Sequence, residues 1–105
     1  MIRISVERHN HYICGFKVTE HGKNEVCAAV SLFTINTVNS IETLTDSRCA
    51  YDYDPDGGFL EFNLLEYNEH ANLLLNAMLL GLRDVERNYG NEIFLEEFER
   101  SLNDD

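Results

Sequence analysis

Basic residues are scarce in this chain. Eight lysines and arginines stand against 19 aspartates and glutamates, a formal net charge of −11 at pH 7. A nucleic-acid surface needs a basic stripe along the phosphates, so direct nucleic-acid binding is not expected. The acidic surplus suits a basic protein or peptide partner, and serves plain solubility equally well. Cysteine is present three times, as Cys14, Cys27 and Cys49. An odd number excludes a complete disulfide framework and reads as thiols in a reducing compartment. Neither the cysteines nor the histidines have the paired close spacing of a zinc site. His9 and His11 lack a third ligand and read as solvated turn residues. Asp52, Asp54 and Asp56 precede Gly57 as in a calcium loop. The closing glutamate position falls on Asn63, however, and no helices flank it. No metal and no cofactor is therefore expected. No stretch reaches about 18 apolar residues, so no membrane span is expected. The opening alternation of Ile2, Ile4 and Val6 lacks the apolar core of a secretory signal, which predicts a cytoplasmic protein. There is one proline, and no repeat, low-complexity tract or linker. The 105 residues read as one domain, 1–105, with 44% hydrophobic residues in the globular range. A core of that size gains from pairing with a second copy.

Hydrophobic periodicity gives the elements. Residues 2–8 alternate Ile2, Ile4 and Val6 with Arg3, Ser5 and Glu7, a half-buried strand. His9-Asn10-His11 is a polar turn. Tyr12, Cys14, Phe16 and Val18 alternate again and predict a strand pairing back as a hairpin, with Cys14 filling the apolar face. A polar loop spans 19–24. A helix over about 25–45 has a buried stripe of Val26, Val30, Phe33, Thr37, Ile41 and Leu44. Cys27, Ser31, Thr34 and Val38 form the stripe beside it. Residues 48–52 form a short strand with Cys49, Tyr51 and Tyr53 on one face. Residues 54–58 are a turn by composition, and 59–65 are a strand alternating Leu60, Phe62 and Leu64. A second helix starts at the N-cap Asn68 and stops before Gly90, placed as a C-terminal cap. Residues 93–98 fit helix and strand patterns equally, and 101–105 form a frayed acidic tail. The resulting fold class is α+β, in the order strand-strand-helix-strand-strand-helix-strand, with helices on a mixed or antiparallel sheet.

The second helix is apolar almost all round between Leu73 and Leu82, more than one sheet face can cover. This predicts a homodimer whose interface takes the outer side of that helix or the strand edges beside it. Leu75 and Leu79, with Leu82 next along, are the predicted outer stripe.

Residues 21–31 carry the expected chemistry. Asn24 is a good helix N-cap, which makes Cys27 the third helical residue. There the helix dipole and backbone N–H groups favour a thiolate. His21, six residues upstream, can fold back over the helix end and take the thiol proton. The structural alternative is a small core cysteine and an ordinary loop histidine. Ser31 lies one turn below Cys27. Its hydroxyl either faces the same pocket or bonds a carbonyl one turn back. His70, on the first turn of the second helix, reads as a surface residue.

The run Cys27-Ala28-Ala29-Val30-Ser31, after a histidine and a short polar loop, resembles the signature of the ribosomal-processing cysteine protease family, Prp. That pattern is Gly-His-Ala, a variable loop, then Cys-Ala-Ala/Ser-Val-Ser opening a helix. Length and element order agree over nearly the whole chain. The cysteine half matches in full. In the histidine half, Glu20-His21-Gly22 replaces Gly-His-Ala, and an ungapped alignment with a short-loop member puts Glu20 on the histidine position. The resemblance implies a strand for 93–98. It also implies a cysteine endopeptidase with Cys27 as nucleophile, His21 as base and Ser31 in support. The implied substrate is the N-terminal extension of a large-subunit ribosomal protein, cut after an apolar, aromatic-containing segment that an apolar groove near Cys27 would hold. The alternative is a non-enzymatic module of the same fold that binds a ribosomal or other basic partner.

Overall fold

The computed structural model describes residues 1–19 and 25–100. His21, Glu20 and the cap residue Asn24 lie outside the described residues, as does the predicted tail 101–105. Strand β1 (Ile2–His9) turns back into β2 (Tyr12–Thr19). Asn10 makes that turn at φ 58°, a left-handed value that asparagine tolerates better than most residues. Helix α1 (Glu25–Leu44) follows, then the hairpin of β3 (Cys49–Tyr53) and β4 (Phe59–Leu64), helix α2 (Glu69–Asn88) and β5 (Ile93–Glu99). The strands form one sheet in the order β3-β4-β2-β1-β5. Neighbours are antiparallel except β1 and β5, which run parallel with Ile2 beside Ile93. The α+β order is the predicted one, the sheet is mixed, and 93–98 is strand.

Alternation sends Ile4, Val6, Phe16, Phe62 and Leu95 to the face that the helices cover, where they join one buried cluster. Phe16 stacks on Phe62 with centroids 5.5 Å apart. Asn68 caps α2 by accepting a hydrogen bond from the Ala71 N–H at 2.9 Å, and donates to Asp46 at 3.0 Å. The start of α2 is thereby tied to the chain just beyond the end of α1. Where the helices cross, Gly81 lies against the Phe33 ring, and a Cβ there would come within 2.3 Å of it. Only glycine permits that approach.

Three sequence expectations need correction. On α2, Leu75 and Leu82 are fully buried and Leu79 is 8% exposed, so these leucines belong to the intramolecular core and not to an outer stripe. The buried stripe runs Ala71, Leu75, Met78, Leu82, Val85, and the exposed leucines are Leu73 and Leu80. On α1, Leu44 is exposed, whereas Thr34 and Val38 join the buried set. The Thr34 hydroxyl donates to the Val30 carbonyl at 2.8 Å, which removes the penalty of burying it. Cys14 is buried but is not part of the core cluster. A bulge shifts the register between Glu7 and Arg8, turning Cys14 towards Glu7. Its thiol donates to the Glu7 carbonyl at 3.4 Å, and Arg100 pairs with the Glu7 carboxylate beside it.

A charged cluster closes the end of the helix layer. The Glu97 carboxylate accepts from Arg8 at 2.7 Å and from Arg83 at 2.6 Å. The Arg83 bond, then the Arg8 bond, holds its carboxyl below the usual glutamate range. A depressed folded value means that the stabilisation exists above the unfolded value of about 4.3 and is lost as pH falls through the folded one. Glu97→Gln is therefore expected to cost about 0.5–1 kcal/mol near neutral pH, the scale of a solvent-screened pair. Urea melts of the two proteins should converge as pH drops towards 3, and a gap that widens on acidification would contradict this account.

Candidate active site

Cys27 is the third residue of α1. Val26 before it and Val30 one turn on are buried. They pin the helix start to the core and leave Cys27 half-buried at the edge of a groove. The groove has a volume of about 380 Å³. One wall is α1, through Cys27, Ser31, Ile35, Val38 and Asn39. The opposite wall is the β3–β4 hairpin, through Tyr51, Tyr53, Phe59 and Leu60, with Ile2 and Val18 below. The lining is mainly apolar, and Ser31 shares it with Cys27 as the one-turn spacing implied.

The hairpin tip is a built turn. Gly57 and Gly58 have φ of 90° and 92°, values that strain any residue with a side chain. The Asp54 carboxylate accepts the Asp56 N–H at 2.9 Å, and the Asp54 carbonyl accepts the Gly57 N–H at 2.8 Å. Tyr51 and Tyr53 stack with centroids 6.5 Å apart, although both side chains are exposed. The Glu42 carboxylate raises the Tyr51 phenol above its ordinary value, which keeps it a hydroxyl.

Burial disfavours the thiolate at the other two cysteines. Burial pushes the Cys14 thiol up, against a partial opposing pull from Arg100. Burial, and then the Glu42 carboxylate, pushes Cys49 up as well. A raised value holds each as a thiol, the unreactive form. Only Cys27 combines a place in the first turn of a helix with an opening onto the groove.

The structure also sorts the histidines among the described residues. The β1–β2 register puts Arg3 and Ile4 beside Thr19 and Val18 at the groove end, and His9 beside Tyr12 at the far end. His11 lies in that same distant turn. His70 sits in the first turn of α2, tethered near Asp46 past the end of α1. Cys27 and Leu44 are 17 residues apart along one helix, about 25 Å at the α-helical rise. The three described histidines therefore lie away from the Cys27 end of the groove. His21 lies outside the described residues. The sequence reading missed the groove walls. The signal was the tyrosine pair, Tyr51 and Tyr53, on one face of β3.

A half-buried thiol in the first turn of a helix, opening on a mainly apolar groove, suits a cysteine nucleophile acting on a peptide. Residues 1–94 match the family model described as Cysteine protease Prp, and the chain belongs to that family. It is 30% identical over 105 residues to the ribosomal processing cysteine protease Prp of Bacillus subtilis, covering 89% of this chain and 94% of that one. It is 35% identical over 77 residues to the protein of the same name from Staphylococcus aureus, covering 72% and 73%. A crystal structure of the S. aureus protease with a covalently linked product peptide superposes with a TM-score of 0.88 at 28% identity, covering 93% of this chain and all of the other. A second, in complex with a substrate peptide, gives 0.86 at 26% identity with the same coverage of this chain. Membership decides between the two functional readings in favour of the enzyme: the protein is a cysteine protease.

Proposed function

We propose that residues 1–105 act as one endopeptidase domain that removes the N-terminal extension of a large-subunit ribosomal protein. The carrying observation is Cys27 in the first turn of α1, half-buried beside the apolar groove. The Cys27 thiolate attacks the scissile carbonyl, and a C–S bond forms as the carbonyl π electrons move to oxygen. The oxyanion is stabilised by backbone N–H groups at the start of α1. Collapse breaks the C–N bond, and His21, having taken the thiol proton, returns it to the leaving amine. Water then hydrolyses the thioester. Ser31 supports the site from one turn below. The apolar segment preceding the cut fills the groove, and the acidic surface favours the basic ribosomal partner. The names of the relatives, which specify ribosomal processing, support this substrate. The same reading places the protein in the cytoplasm, where its substrate is made.

A homodimer completes the proposal. Leu73, Ala77 and Leu80 recur along the exposed side of α2, and a second copy is the simplest cover for them.

The test is cleavage of a synthetic peptide spanning that extension, followed by mass spectrometry. One cut behind the apolar segment is expected. His21→Ala should lower turnover by roughly 10²-fold or more, the usual scale of general acid–base help. If Glu20→Ala is damaging and His21→Ala is not, the base has been misassigned. An intact peptide after prolonged incubation with the wild type would overturn the protease substrate.

A further inference from the structure

Among the described residues, β3 is the last strand in the sheet and has a strand neighbour on one side only. Two bonds bracket it and fix which of its backbone groups point inward. The Asp54 N–H donates to the Phe59 carbonyl at 3.1 Å, and the Leu65 N–H donates to the Arg48 carbonyl at 2.9 Å. In an antiparallel pair, the residues that exchange bonds with the partner recur at every second position. The register between those bonds sets Ala50 opposite Asn63 and Asp52 opposite Glu61. Arg48, Ala50, Asp52 and Asp54 therefore spend their N–H and C=O groups on β4. Cys49, Tyr51 and Tyr53 direct theirs to the open edge.

The side chains of Tyr51 and Tyr53 line the groove that holds Cys27. The same two residues thus offer apolar side-chain surface and unspent main-chain donors and acceptors along one line. An open edge of this kind is a template for an extended chain. The opposite wall has the matching length. From Cys27 to Asn39, α1 runs about 18 Å, the span of about five residues of extended peptide.

Resting on the protease reading above, we propose that the substrate docks by strand addition. Its backbone pairs with the open edge of β3 at Tyr51 and Tyr53, while alternate side chains enter the groove between the hairpin and α1. Specificity then comes from every second substrate residue, and affinity comes largely from main-chain bonds that any sequence can make.

The experiment uses Cys27→Ala protein and a fluorescent synthetic peptide spanning the ribosomal-protein extension, read by anisotropy. The backbone nitrogens of the residues before the cut are methylated one at a time. Strand addition predicts alternation, with affinity falling about tenfold at every second position, the worth of one good hydrogen bond with its steric block, and little change between. A flat profile, or losses without period two, overturns the docking mode. On the protein side, Tyr53→Pro removes an outward N–H without touching the β4 ladder. It should bind more weakly than Tyr53→Ala, and equal affinities count against strand addition. Should the proline variant fail to fold, the methylation scan decides alone. If wild type cleaves the parent peptide but the scan shows no alternation, the docking mode fails and the protease reading stands. If wild type neither cleaves nor binds it, both fall.

Discussion

Cys27→Ala lowers cleavage of the ribosomal-protein peptide by roughly 10⁴-fold or more, the order seen when a covalent nucleophile is removed. The fold should be unchanged, because Cys27 lies at the groove edge and its buried neighbours Val26 and Val30 hold the helix start. Cys14→Ala and Cys49→Ala should keep most of their turnover. Cys14 faces Glu7 across the bulge, away from the groove, and burial keeps both thiols protonated. Cys27→Ser preserves the shape but substitutes a hydroxyl that stays protonated at neutral pH, so it should be almost as inactive. Cleavage surviving in Cys27→Ala, with Cys14→Ala or Cys49→Ala dead, would remove the nucleophile from α1 altogether.

The second large effect is on stability. Leu75 is fully buried at the centre of the α2 stripe. Leu75→Ala should cost about 2–5 kcal/mol, a large part of the 5–15 kcal/mol or so available to a domain. Leu75→Glu should not fold, since an unpaired carboxylate cannot be accommodated there. The double variant Leu73→Glu with Leu80→Glu should still fold, because both side chains are exposed on the single chain. Thermal melts measure the first pair of effects. Sedimentation of the double variant reports on pairing: if copies join through the outer side of α2, the wild type runs as a dimer and the variant as a monomer. A wild type that runs as a monomer at tens of micromolar excludes the homodimer.

The contrast between Leu75 and Leu73 shows what the sequence could and could not tell. Two apolar stripes share α2, and a helical wheel between Leu73 and Leu82 does not say which one meets the sheet. Extending the wheel does. The stripe through Leu75 continues into Ala71 and Val85, whereas the one through Leu73, Ala77 and Leu80 runs into Asp84 and Arg87, which pair with each other in solvent. The strands were legible because alternation has a short period and errors show at once. Cys14 misled for the same reason: as the extra residue at a bulge it falls out of step with Phe16 and Val18, and no residue type announces it. Cys27 and Ser31 were legible as neighbours because helical spacing alone brings them together. The opposite wall of the groove was not, since it depends on where the later β3–β4 hairpin joins the sheet.

The parallel pairing of β1 with β5 carries a consequence for how the chain is born. Ile2 meets Ile93, so β1 must wait for a strand made about 90 residues later. Closing a loop of that length carries an entropic cost of about 4 kcal/mol plus a constant. That cost is met only after β5 has left the synthesising machinery. Until then β1 has β2 on one side and unpaired backbone groups on the other. The nascent protein therefore passes through a stage in which its N-terminal hairpin is exposed to wrong partners, and a chain stalled before Ile93 is a candidate for chaperone capture or aggregation, not a smaller working enzyme.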